Sequence, residues 1–168
     1  MFLFHSKDGL LKRHVSDLKN SDPEVRRRAA YKLYNLGKSD ASPHLIRALT
    51  DPDKRVRWRV AYALGDFGET GHDAAFEVLV SHLDAEEDWN VRRIIVMALR
   101  HWDKRAIKPL INALSDESEY VRRYAAMTLG FKRSKEAVPP LKRLIEEDGS
   151  KEVRDYASWA LEEIKKQD

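Results

Sequence analysis

One phrase recurs five times along the chain. It reads Val25-Arg26-Arg27-Arg28-Ala29-Ala30, Val56-Arg57-Trp58-Arg59-Val60-Ala61, Val91-Arg92-Arg93-Ile94-Ile95-Val96, Val121-Arg122-Arg123-Tyr124-Ala125-Ala126 and Val153-Arg154-Asp155-Tyr156-Ala157-Ser158. A leucine follows each valine by eight residues: Leu33, Leu64, Leu99, Leu129 and Leu161. The valines lie 31, 35, 30 and 32 residues apart. With each valine as position 0, apolar residues fall at 0, +4 and +8, which is the spacing of one helical face. Self-similarity at about 32 residues restricts the chain to an array of stacked units.

Each phrase is preceded by a helix start. Asp22 is placed as an N-cap with Pro23 at the first helical position, and Asp53, Asp88, Ser118 and Ser150 stand at the same place, three before the valine. Before each turn lies a further apolar helical stretch, at 10–18, 43–49, 74–83, 106–114 and 138–145. Each unit therefore reads helix A, turn, helix B. One pair cannot bury its apolar faces alone, whereas a stack can. The units run over about 8–37, 41–68, 72–102, 104–131 and 136–168 of one domain. The third has the longest turn, Asp84 to Asn90. Pro43, Pro109, Pro139 and Pro140 mark helix A starts, and Gly37, Gly68 and Gly130 mark helix B ends.

Composition removes several chemistries. There is no cysteine, so disulfides, thiolate metal sites and cysteine nucleophiles are excluded. No apolar run reaches the roughly 20 residues of a membrane span. Met1-Phe2-Leu3-Phe4 is too short for a signal-peptide core and reads as a hydrophobic flap on the first unit. One glutamine, four asparagines and 35% charged residues fit a heat-adapted cytoplasmic protein. The net charge of +3 says nothing about nucleic acid unless the positive charge is clustered.

The pattern Asp-Pro-x-Val-Arg-x-x-Ala-x-x-x-Leu-Gly resembles the HEAT repeat, in the short form also called the phycobilisome-lyase-type HEAT-like repeat. Asp22 to Arg26 and Val121 to Gly130 match it best; Ile95, Val96 and Arg100 in the third unit depart from it. The resemblance implies an all-α, right-handed α-solenoid of five helix pairs, ten helices, with helix B lining the concave surface. It also implies that the arginine at +1 (Arg26, Arg57, Arg92, Arg122, Arg154) forms a structural ladder with turn aspartates. Candidate partners are Asp22, Asp51, Asp53, Asp88 and Asp116.

A structural repeat does not explain the opposite face of helix B. Position +2 reads Arg27, Trp58, Arg93, Arg123, Asp155; +3 reads Arg28, Arg59, Ile94, Tyr124, Tyr156; +6 reads Tyr31, Tyr62, Met97, Met127, Trp159; +10 reads Asn35, Asp66, His101, Phe131, Glu163. Aromatic, methionine and arginine side chains are the types enriched in binding hot spots. The candidate partner-binding residues are Arg27, Arg28, Tyr31, Trp58, Arg59, Tyr62, Arg93, Met97, Arg123, Tyr124, Tyr156 and Trp159. Position +6 alternatively packs between adjacent B helices, while Trp58, Tyr124 and Tyr156 are placed further from the core. Trp102 is read as core; Trp89 is either a lid or a surface contact.

No catalytic constellation emerges. Of His5, His14, His44, His72, His82 and His101, none is followed by glutamate and no two share one helical face as metal ligands. The expectation is no metal and no cofactor. Gly-rich phosphate loops and Gly-x-Ser-x-Gly are absent from the sequence. The reading is a non-catalytic scaffold that binds a protein partner, an acidic and hydrophobic peptide or helix, on the concave helix B face. The alternative is a nucleic-acid-binding HEAT-like protein, including glycosylase-like or bilin-lyase-like enzymes, with Asp66 beside Trp58 and Tyr62 as the nearest constellation.

Overall fold

Ten α-helices among the described residues form two layers. The structure is a computed structural model and describes residues 6–70 and 73–166. The proposed flap of Phe2 and Phe4, together with His5 and His72, lies outside them. Helix A of the successive units is α1 (Lys7–Asp17), α3 (Lys38–Ala48), α5 (Asp73–Ala85), α7 (Ile107–Asn112) and α9 (Val138–Glu147). Helix B is α2 (Pro23–Leu36), α4 (Lys54–Gly65), α6 (Trp89–Ala98), α8 (Glu119–Lys132) and α10 (Lys151–Lys165). Each B helix packs on the next, and each A helix lies against the B helix of its own unit. This is the stacked helix pair of an α-solenoid.

The repeated phrase builds the core between the layers. Val56, Val60 and Leu64 of α4 are fully buried, as are Val121, Ala125 and Leu129 of α8. The smaller residue at +5, Ala30, Ala61 or Ala126, is buried too and lets adjacent B helices approach closely. In the first and last units Val25 and Leu161 are half-buried.

The helix starts are as the spacing predicts. Asp22 accepts from the Glu24 N–H at 2.8 Å, Asp53 from Arg55 at 2.8 Å, and Asp88 from Asn90 at 3.0 Å. Ser118 and Ser150 hold the N-cap position without a side-chain bond.

Three local expectations are corrected. The long turn of the third unit is short: α5 continues through Ala85, and Trp89 and Asn90 already belong to α6. Pro43 lies inside α3 rather than at its start. Gly130 does not end helix B; α8 continues to Lys132. A Cβ at Gly130 would stand 2.7 Å from Trp159 Cζ3 and 2.9 Å from Ala160 Cα, so the glycine is required by the approach of α10.

Candidate binding site on the helix B face

Two rows of arginine follow the repeat, and their surroundings differ. The +1 row lies at the A–B turns. Arg26 Nε and Nη2 bond both carboxylate oxygens of Asp51 at 2.7 and 2.9 Å. Arg57 does the same to Glu86 at 2.8 and 2.8 Å, Arg92 to Asp116 at 2.8 and 3.0 Å, and Arg122 to Asp148 at 2.6 and 2.9 Å. Nη1 of each guanidinium also donates to carbonyls of its own turn, as Arg57 does to Asp51 and Pro52 at 2.8 and 3.1 Å. Arg154 donates to the Asp148 carbonyl at 2.6 Å.

The ladder therefore reaches forward, from one unit to the acid of the next, with the two-pronged geometry that suits guanidinium and carboxylate. Its acids occupy position −5: Asp51, Glu86, Asp116 and Asp148, with Asn20 in the first unit. Each also accepts the N–H two residues on, as Glu86 does from Asp88 at 2.9 Å. Of the expected partners, Asp51 and Asp116 are ladder acids, whereas Asp22, Asp53 and Asp88 are helix caps. Glu86 and Asp148 are partners that the turn-aspartate expectation omitted.

Two of these acids, Glu86 and Asp148, are held below their ordinary values. Burial by itself would raise Glu86, whose side chain is 1% exposed; the Arg57 guanidinium, the Asp88 N–H and His82 outweigh it and hold the carboxyl below its ordinary 4.5. Asp148 is held below its ordinary 3.8 chiefly by the hydrogen bonds from Arg122, against its desolvation and with help from the Ser150 N–H.

The second row, at +2 and +3, lies on the outer face of the B layer among aromatic rings. Arg59 Cζ is 5.4 Å from the Tyr31 ring centroid, 5.2 Å from Trp58 and 5.9 Å from Tyr62. Trp58 and Tyr62 are parallel, 8° between planes, with centroids 5.9 Å apart. Arg59 Nε is buried and has no hydrogen-bond partner. Arg93 Cζ is 5.0 Å from the Tyr124 ring, and Arg123 Cζ is 5.3 Å from Tyr124 and 5.8 Å from Tyr156. The succession Tyr31, Arg59, Tyr62, Arg93, Tyr124, Arg123, Tyr156 runs across all five units. Cations over rings are held by the ring quadrupole without cancelling their charge.

Charge balance divides this row. Glu24 binds Arg27 at 2.5 and 2.9 Å and Arg28 at 3.2 Å, and its carboxyl is lowered to about 2, chiefly by the Arg27 hydrogen bonds. Arg123 pairs with Glu152. No carboxylate among the described residues pairs with Arg59, Arg93 or Arg100. Arg93 is instead held by Asn90 Oδ1 at 2.7 and 3.1 Å, and Arg100 Cζ lies 4.1 Å from the Phe131 centroid. Of Arg27, Arg28, Arg59, Arg93, Arg100 and Arg123, three are thus left without a carboxylate partner among the described residues.

Exposure reorders the candidates. Tyr31 and Tyr62, at +6, are 46% and 47% exposed, so they do not pack between B helices. Trp58, Tyr124, Met97 and Trp159 are half-buried against the core, and Tyr156 is exposed. Ile94, at +3, is buried, because α6 is packed on both sides. Trp102 is core, in agreement with its position in the repeat. Trp89 opens α6 at the surface, its ring centroid 4.8 Å from that of Tyr120. Tyr120, at −1, belongs to the same aromatic edge, with Arg123 over its ring at 5.3 Å. Its place just before the valine is outside the recurring phrase, so the repeat gives no signal for it. Asp66 accepts from the Tyr34 hydroxyl, which this bond and, after it, burial push up to about 12. Trp58 stacks on Tyr62 and is not part of the hollow that Asp66 lines, so the expected Asp66–Trp58 constellation does not form.

Among the described residues, no helix is long and apolar enough to cross a membrane. The HEAT-repeat sequence pattern matches residues 12–100 and 107–168. The chain belongs to the HEAT-repeat family. Solved structures similar to it include the complex of CpcE and CpcF of phycocyanin lyase from Nostoc sp. PCC7120, at 19% identity and TM-score 0.73, covering 92% of this chain and 99% of that one. A designed armadillo repeat protein in complex with the peptide (KR)4 is similar at 21% identity and TM-score 0.68, covering 94% and 82%. An engineered protein is similar at 24% identity and TM-score 0.64, covering 95% and 80%. These likenesses concern the fold. No curated protein sequence matches the chain.

Proposed function

We propose that this protein is a non-catalytic scaffold that binds a partner protein along the outer, concave face of its B helices. The observation that carries this reading is the alternation of aromatic rings with Arg59 and Arg93, which pair with no carboxylate among the described residues. Such a surface offers stiff contact area and charges ready for a partner's acids. The partner segment is acidic and carries hydrophobic anchors. Tyr31, Tyr62 and Tyr156 are its most exposed contacts, Trp58 and Tyr124 its half-buried ones, and Arg59 and Arg93 the cations that set register.

The polarity supports a peptide over a nucleic-acid backbone. Arg27, Arg28 and Arg123 already have acids, and three separated cations make a weak phosphate track. The designed relative was solved with a basic peptide; the arginine row here calls for the opposite sign.

Fluorescence anisotropy of a labelled acidic, leucine-containing peptide and of single- and double-stranded oligonucleotides, at several salt concentrations, tests this reading. Peptide binding that Arg59→Ala weakens about tenfold is expected. Oligonucleotide binding with a slope near −0.9 per phosphate in log K against log salt would replace it with the nucleic-acid reading.

A further inference from the structure

We infer that a hollow between α4, α6 and α8 seats one uncharged aliphatic side chain of the partner segment, with Arg93 and Arg100 taking carboxylates on either side. The inference rests on the proposed function of this face and adds a position and a sequence requirement to it.

The hollow has a volume of about 130 Å³. Tyr62, Ile94, Met97 and Met127 form its apolar lining. Unbranched methionines re-pack around an inserted group more readily than branched side chains, so the hollow can adjust to its occupant. Thr128 is part of the same lining, with its hydroxyl buried and without a hydrogen-bond partner.

Charge specifies what surrounds the occupant. Arg93 Nη1 lies 3.6 Å from Met97 Sδ, against the lining, and Arg100 is itself in the lining. Neither has a carboxylate partner among the described residues, and Arg100 is exposed. They are seven positions apart on one helical run, which is about 10 Å along its axis. In an extended segment, the residues two before and two after a central one share its face and lie about 13 Å apart. Carboxylates at those places are within side-chain reach of the two guanidinium groups while the central side chain enters the hollow. Asp66 also lines the hollow, with its carboxylate on the Tyr34 hydroxyl. Its negative charge repels an acid at the centre, so the central residue is uncharged and the acids stand outside it.

The chain has three methionines, and two line this hollow. Methyl NMR of protein labelled at methionine Cε therefore reports the hollow directly, with Met97→Leu and Met127→Leu assigning the signals. The probe is the peptide Asp-Glu-Asp-Leu-Asp-Glu-Asp, with binding followed in parallel by anisotropy. We expect saturable shifts of both methyls. Replacing the peptide's leucine by alanine, and Arg93→Ala or Arg100→Ala in the protein, should each weaken binding about tenfold. Binding by anisotropy that Arg59→Ala weakens, with both methyls unmoved, overturns the hollow and leaves the binding face standing. Equal affinity of the leucine and alanine peptides overturns it as well. No binding of either peptide overturns the face and the hollow together.

Discussion

The turn edge and the B-helix face use the same residue, at the same period, one or two positions apart, to opposite ends. At the turn edge Arg26, Arg57, Arg92 and Arg122 each meet a carboxylate in two-pronged fashion, and both groups are largely withdrawn from water. On the B-helix face Arg59 and Arg93 meet rings, and their charge is left unspent. The difference arises from the helix. A step of one residue turns the side chain by 100°. Position +1 therefore faces the next unit's turn, whereas Arg59 at +3 and Arg93 at +2 lie over aromatic rings of the B-helix face. A repeated arginine is thus neither structural nor functional by type. The sign of what lies one unit away decides.

Four comparisons bear on this contrast. The largest effect is expected for Arg57→Ala. It strands the buried Glu86 carboxylate and should cost about 3 kcal/mol, read as a lower urea midpoint. A loss below about 1 kcal/mol, the worth of an exposed pair, would erase the distinction between the rows.

Acid comes next. Glu86 and Asp148 titrate below their ordinary 4.5 and 3.8 when folded. The folded state binds fewer protons there than the unfolded one. The stability they contribute is complete above about pH 5 and is lost as pH falls through the depressed values. Urea midpoints measured down to about pH 3 should fall in the acid range, and less steeply in Glu86→Gln. A profile as steep in that variant as in the parent would show that other carboxylates govern acid unfolding.

A sharper comparison lies within the ladder. Arg122→Lys loses the two-pronged bond to Asp148, whereas Arg154→Lys gives up only carbonyl contacts. The first should cost about 1 kcal/mol more in thermal or urea unfolding. Equal costs would mean that the carbonyls, not the acids, hold the row.

The smallest effects separate two arginines of the face. Arg28 is exposed and shares Glu24 with Arg27, so Arg28→Ala should change neither stability nor peptide affinity measurably. Arg59→Ala should cost about 1 kcal/mol of stability from its rings while weakening the peptide about tenfold. If the two variants behave alike, the uncompensated charge of Arg59 has no role in binding.

The fold was legible because a period repeated five times averages out local ambiguity. Helix starts were legible because Asp at −3 has only one good use. The ladder's arginines were visible for the same reason, but its acids were not. In the second and third units acids stand at both −5 and −3, and composition does not say which caps and which pairs. In the third unit a glutamate replaces the aspartate and hides the column. Gly130 carried the signal of a helix stop, although the reason for it lies across the stack in Trp159 and Ala160. The face was legible as a set of residue types and positions. Which of its arginines are neutralised depends on Glu24 and Glu152, whose partners lie three to four residues away in one case and 29 in the other.

The ladder has one more consequence, for the order in which the chain folds. Its four cross-links join residues 25, 29, 24 and 26 apart, so none spans more than one unit. Closing each loop carries nearly the same entropy, and no distant segment has to arrive before the next link can form. Growth then proceeds neighbour to neighbour from wherever the best-packed pair first assembles. In the reverse direction the stack opens from its thinnest end. Helix α1 buries no residue of its own, whereas α10 buries four. Amide exchange should therefore be fastest at α1 and slow progressively toward α8, as in a zipper fastened most firmly near its far end.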